Sequence, residues 1–182
     1  MKSAFLVVLS FFLVNACAKT DWATYSITER LNVRLPSPPE TVNLQEQKGL
    51  PEVPAATLQR IQAFNSSDDY GIYTIVINPV ESTALTLLPR DSLYNNGLRQ
   101  ILQAYSGRVL TRTTFNTPVG SGVEVLMDAV VPKIGKHVLT GVRLLIDRQH
   151  SYAFVSVPYA ETDSSRATMC RRHFFDTITV KP

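Results

Sequence analysis

Residues 142–158 read VRLLIDRQHSYAFVSVP. Val142, Leu144 and Ile146 alternate with Arg143, Leu145 and Asp147, and after a break the alternation resumes. There Tyr152, Phe154, Ser156 and Pro158 alternate with Ala153, Val155 and Val157. A period of two is the signature of a strand, because successive side chains leave opposite faces of the pleat. The break at Asp147–His150 is short and polar, so the two strands must run antiparallel as neighbours.

The same pattern extends outward in both directions. Strands are predicted over Arg108–Phe115, Gly122–Val131 and His137–Asp147, separated by Asn116-Thr117-Pro118 and by residues 132–136, where Pro132 and Gly135 interrupt any ladder. Upstream of them, Tyr94, Leu98, Ile101, Leu102 and Tyr105 share the stripe of one helix. Asp91 or Ser92 is placed to cap its start, and Gly107 to close it in the left-handed conformation. Gly97 inside it weakens the helix. Downstream, Asp163 can cap a second helix over 164–176, with Ala167, Cys170 and Phe174 on one face. Residues 177–181 alternate once more as a short strand or extended tail.

Nearer the N-terminus, strands are expected at Trp22–Ile27 and at Leu31–Leu35, which Pro36, Pro38 and Pro39 end. Residues 40–56 hold Gly49, Pro51 and Pro54 and read as a long surface loop with room for a strand at Thr41–Leu44; such loops are often functional, which makes this one a candidate contact surface, but a plain connector is the favoured reading. Thr57–Phe64 and Tyr70–Asn78 read as strands around the turn-forming Asn65–Asp69 cluster. The second of these strands is apolar on both faces, which suggests a central, covered position. Pro79 and Pro89 bracket a connection with no clear period. Helices segregated over a run of antiparallel strands make an α+β domain: an antiparallel sheet of about six strands with helices packed on its faces.

Lys2 and the apolar run Ala4–Val14 form a secretory signal too short to span a bilayer. Val14-Asn15-Ala16-Cys17 resembles the bacterial lipobox, with an aliphatic residue at −3, a small residue at −1 and cysteine at +1. The resemblance implies a signal peptide over 1–16, diacylglycerol on Cys17, a lipidated tether over 17–21 and one domain over 22–182. Cys17 is the lipidation site in this reading. The competing reading, a plain leader with Cys17 bridged to Cys170, requires a docked N-terminus. Two or more acyl chains hold a protein stably on a membrane. Ala18 at +2 departs from the aspartate associated with inner-membrane retention, so the resemblance implies export to a bacterial outer membrane.

Removing residues 1–16 from the 182 leaves 166, one domain of ordinary size that needs no metal or disulfide staple. The formal charge of +3 falls to +2 on the mature side chains, since Lys2 leaves with the leader, and it argues against nucleic acid. His137, His150 and His173 are scattered, and Cys170 with His173 supplies only two ligands where structural zinc needs four. Gly120-Ser121-Gly122 leads into a strand rather than a helix, so it reads as a hairpin turn and not a phosphate loop. Asp68-Asp69 lacks calcium-loop spacing. No G-x-S-x-G elbow is present. No catalytic residue, cofactor or metal site is assigned.

Trp22 and Tyr25 before a proline-ended strand, Gly122-Val123-Glu124, the Arg143–Val157 hairpin and the closing Phe174-Phe175-Asp176-Thr177-Ile178 together resemble the Mog1/PsbP-like superfamily. The resemblance implies the six-stranded α+β fold and a non-enzymatic role. The expectation is a lipid-anchored envelope protein acting as an accessory or protein-binding module toward an envelope partner. The alternative is a small-molecule or metal-ion binder, or a hydrolase, that uses the space between helices and sheet.

Overall fold

The computed structural model describes residues 21–46, 55–130 and 135–182. Cys17, the leader and tether residues 1–20, and residues 47–54 of the expected loop lie outside the described residues. Among the described residues, strand outweighs helix. The elements, in chain order, are β1 (Ala23–Ser26), β2 (Leu31–Leu35), β3 (Glu40–Thr41), α1 (Ala55–Leu58), β4 (Gln62–Ser67), β5 (Gly71–Pro79), α2 (Ser82–Leu87) and α3 (Arg90–Ala104). They continue with β6 (Arg108–Thr117), β7 (Gly120–Val130), β8 (His137–Ile146), β9 (His150–Pro158), α4 (Ser164–Asp176) and β10 (Thr179–Val180). A 3₁₀ turn at Leu44–Glu46 follows β3.

The expected α+β arrangement of six strands is overturned. Seven antiparallel strands form one sheet in the order β3-β4-β5-β9-β8-β7-β6, and a separate three-stranded sheet runs β1-β2-β10. The difference lies in long-range pairing. Thr179 and Val180 pair with Asn32 and Leu31, and Glu40 and Thr41 pair with Asn65 and Phe64. Pairs so distant in sequence leave no local period, so strand count and sheet membership were open to error.

The 142–158 hairpin behaves as its alternation predicts. Val142 stands opposite Val155, Leu144 opposite Ala153 and Ile146 opposite Ser151. Each strand therefore sends one set of side chains to each face of the sheet. On one face, Tyr73, Ile75, Ile77, Leu145, Tyr152 and Phe154 pack against Cys170, Phe174 and Phe175 of α4 and against Leu31, Val33 and Leu35 of the small sheet. On the other, Val123, Val125, Met127, Val142, Leu144, Ile146 and Val155 pack beneath Tyr94 and Leu98 of α3.

Several local expectations shift. Residues 57 and 58 belong to a helical turn, and the strand begins at Gln62. Asn65, Ser66 and Ser67 are strand residues, because Asn65 Oδ1 accepts from Thr74 Oγ1 at 2.7 Å and Ser66 Oγ donates to Ser37 O at 2.9 Å. These bonds satisfy polar groups that would otherwise favour a turn. The turn contracts to Asp68, whose Oδ1 accepts from Tyr70 N and Gly71 N at 2.8 and 3.0 Å. The strand foreseen at Thr41–Leu44 is the two-residue β3 followed by the 3₁₀ turn. The connection between Pro79 and Pro89 contains α2.

β5 is third from the β3 edge rather than central and covered. Gly71, Tyr73, Ile75 and Ile77 are buried, whereas Ile72 is 36% exposed and Thr74 and Val76 are half-buried. One face of this strand is therefore left open beside α3.

Candidate functional site

That open face leads to a groove between α3 and the seven-stranded sheet. The position of α3 is set at both ends. Neither Asp91 nor Ser92 caps it; Pro89 holds the cap position, and its carbonyl accepts from Ser92 N at 2.9 Å and Leu93 N at 3.3 Å. Proline fixes φ and has no N–H to lose there. At the other end Ser106, not Gly107, takes the left-handed conformation, at φ 44°. Gly107 N donates to Leu102 O and Ser106 N to Gln103 O, the paired bonds of a Schellman closure. Gly107 serves close packing instead, since a Cβ there would stand 3.2 Å from Met127 Sδ. Tyr94 fixes the middle of the helix by donating from its hydroxyl to Ser121 O at 2.6 Å, and burial pushes its pKa upward.

The groove has a volume of about 450 Å³. Val76, Leu144, Ile146 and Ala153 supply an apolar floor, and Leu93, Gly97, Gln100 and Ile101 form the helix wall. Asn78, Asn96 and Gln100 add amide groups around it. Arg60 and Glu81, both well exposed, pair across the lining at 3.8 Å. A few polar groups around an apolar floor, in a space of this size, is the usual make-up of a binding site. Gly97 is the low point of the wall, because a Cβ there would meet only Leu144 Cδ1 at 3.8 Å. Leu87 and Leu88, 79% and 43% exposed, join α2 to α3 in sequence just before the lining residue Leu93.

A larger cleft, of about 610 Å³, lies beside Arg30, Asp147 and Arg148. Arg30 is committed there to Asp147 Oδ2 at 3.2 Å, to Lys181 O and to Gln149 Oε1. Asp147 in turn accepts from Gln149 N, His150 N and Tyr152 Oη. These bonds build a corner of the fold and leave this carboxylate no chemistry to offer.

The groups singled out in the sequence are dispersed. His137 Nδ1 lies 3.0 Å from Asp128 Oδ1 at the start of β8, and His150 opens β9. Cys170 is buried, with its thiol in hydrogen-bond contact with Tyr73. His173 packs edge-on to Trp22 at 4.7 Å. Among the described residues, no three His, Cys, Asp or Glu side chains come together as a metal-binding group. Gly120, Ser121 and Gly122, expected as a hairpin turn, are strand residues of β7 paired with Thr117, Asn116 and Phe115, so the turn contracts to Pro118 and Val119. None of these residues lines the groove.

His173 carries a pH dependence. Burial, reinforced by Arg34 and opposed by Asp176, lowers its pKa below the ordinary value of about 6.5. The unfolded chain therefore takes up this proton first as the pH falls. The stabilisation is full above about 6.5 and is lost as pH falls through the lower folded value. Urea midpoints of the protein and of His173→Gln, compared at neutral and mildly acidic pH, should differ by an amount that changes with pH. Parallel curves would exclude the effect.

No protein-family model matches this chain, and no curated protein matches it.

Proposed function

We propose that this chain is a lipid-anchored, non-catalytic protein of the bacterial outer membrane, held through Cys17 with residues 1–16 removed, and that the groove beneath α3 receives apolar side chains of an envelope protein partner. The groove carries the binding half of this reading. Its apolar floor is open along β5, and Leu87, which ends α2, and Leu88 after it are exposed ahead of α3 in the chain. An apolar floor left open along a strand suits a protein contact better than a closed ligand chamber does. The lipobox-like segment carries the anchoring half. The superfamily resemblance, whose expected sheet is replaced by a different one, supports neither.

A second reading, a small organic ligand in the same groove, is favoured by its volume, which falls within the roughly 300–1,000 Å³ range of such sites.

Two substitutions separate the halves. Cys17→Ser is expected to abolish fatty-acid labelling and release the protein from the membrane fraction; continued labelling would overturn the anchor. Gly97→Leu is expected to fill the groove while changing stability by less than about 1 kcal/mol, because leucine favours helix more than glycine does. Cross-linking in cells should capture one stoichiometric partner on the unsubstituted protein and lose it with Gly97→Leu. Capture that survives the substitution would overturn the groove as the contact. An organic molecule that co-purifies only with unsubstituted protein would establish the second reading in place of the first.

A further inference from the structure

A different surface carries a second inference, which holds whether or not the chain is lipid-anchored. β6 ends the seven-stranded sheet, and among the described residues nothing pairs with its outer side. It is ten residues long, and its side chains from Arg108 through Thr114 are all exposed. The opposite edge is handled differently, since β3 is only two residues long. Proteins shorten, charge, bend or cover such edges, because a row of unpaired N–H and C=O groups is a template for another strand. β6 has one irregularity, a register shift between Val109 and Thr111. Beyond it, Thr111–Thr117 pairs regularly with β7, contains no proline and is rich in β-branched residues.

The charges select the occupant. β6 contains Arg108 and Arg112 and no acidic residue. Arg108 faces Asp128 at 3.8 Å. Arg112 donates to the neutral amide oxygen of Asn95 at 2.7 Å and has no ion pair among the described residues. Self-pairing of two copies would gather four arginines and no carboxylate on one ribbon, and like charges on neighbouring strands oppose pairing. The register fixes where an acid is wanted. Arg112 stands opposite Val125 and Thr114 opposite Val123, on the α3 face, while Thr111, Thr113 and Phe115 share the other face.

We infer that β6 receives an extended segment of a protein partner as an eighth strand, with acidic side chains on the α3 face beside Arg112 and β-branched side chains on the other. Main-chain hydrogen bonds supply the attraction in strand addition, and the alternating side chains supply the choice of partner.

The test uses the full chain in detergent and a short synthetic peptide alternating glutamate with valine; its counterpart alternates lysine with valine. Amide hydrogen exchange is followed across Arg112–Asn116. Saturating glutamate peptide is expected to slow exchange at alternate β6 amides by at least ~tenfold, and added salt should weaken that protection. The lysine peptide should give none. Arg112→Glu, an exposed change that leaves the core untouched, should reverse the preference. Unchanged exchange with the glutamate peptide, or equal protection by both peptides, would overturn the inference. So would concentration-dependent protection without peptide accompanied by a doubling of mass, because the edge would then be paired with a second copy.

Discussion

Phe174→Ala is expected to remove about 3–5 kcal/mol of stability, the range for truncating a buried phenylalanine. Phe174 is wholly buried at the centre of the larger aromatic cluster. Its ring lies 5.2 Å from that of Tyr73, 6.4 Å from Phe154 and 5.4 Å from Phe175, and none of these meets it as a parallel stack. Tilted and edge-on contacts place positive ring edges against negative faces, so truncation loses oriented contacts as well as buried area. The rings around it belong to β5, β9 and α4, and those elements cannot close over the cavity without breaking their own register. Domains of this kind have about 5–15 kcal/mol in total, so the variant should unfold at a much lower urea concentration or be partly unfolded without denaturant. Arg172→Ala, an exposed change on the same helix, should stay within about 0.5 kcal/mol. A Phe174→Ala midpoint matching that control would show that α4 does not key the sheet.

The same helix shows what local sequence can reveal. Asp163, with Cys170 and Phe174 spaced along one stripe, is enough to place α4, and Asp163 Oδ1 accepts from Ser165 N and Arg166 N. Capping and periodicity involve residues within a few positions of one another, so one chain displays them. The β6–β7–β8–β9 meander was legible for the same reason, since each strand pairs with its successor. The second sheet was not, because β10 reaches back across nearly the whole chain to β2. Missing that pairing meant placing every strand in one sheet.

The groove was less legible still. Its floor draws Val76 from β5, Leu144 and Ile146 from β8 and Ala153 from β9, and no spacing in sequence joins them. Gly97 reads as a flaw in a helix until Leu144 is seen beneath it. The apolar second face of β5 looked like evidence for a covered central strand. Strand order reverses its meaning, since the helix that covers β7, β8 and β9 leaves Ile72 and Val76 beside an opening. β6 was recognisable as a strand, but nothing local distinguishes an edge from an interior position.

Asp147 was legible only as a turn residue, yet its removal should cost nearly as much as that of Phe174. Asp147→Ala is expected to lose about 3–5 kcal/mol, because two backbone donors and a buried hydroxyl lose their acceptor at roughly 1–3 kcal/mol each. The residue is 2% exposed. Its Oδ1 accepts from Gln149 N and His150 N, both at 2.7 Å, which closes the β8–β9 turn. Its Oδ2 accepts from Tyr152 Oη at 3.1 Å and faces Arg30 Nη1 at 3.2 Å. Arg30 also donates from Nε and Nη2 to Lys181 O, so this single carboxylate joins the hairpin, the approach to β2 and the end of β10. Alanine would leave two backbone donors and a buried hydroxyl without their acceptor, while Arg30 would keep Lys181 O and Gln149 Oε1.

Asp147→Asn divides that loss into parts. The amide oxygen can keep the two backbone bonds, while its NH₂ replaces the acceptor at Oδ2. Tyr152 can turn its hydroxyl to accept from that group, but a guanidinium can only donate. The expected cost is therefore about 1–2 kcal/mol, close to one charge-assisted hydrogen bond. Tyr152 reports the change directly. Burial first, and then the neighbouring Asp147 charge, pushes its pKa up to about 12, with Arg30 acting the other way. The unfolded chain releases this proton first, near the ordinary value of about 10. Stability should therefore fall as pH rises from there to about 12. Removing the carboxylate charge narrows that interval from above without closing it, because burial remains. Ultraviolet titration of tyrosinate in the two proteins measures the shift. An unchanged Tyr152 titration in Asp147→Asn would mean that the carboxylate organises the turn without bearing on the buried hydroxyl.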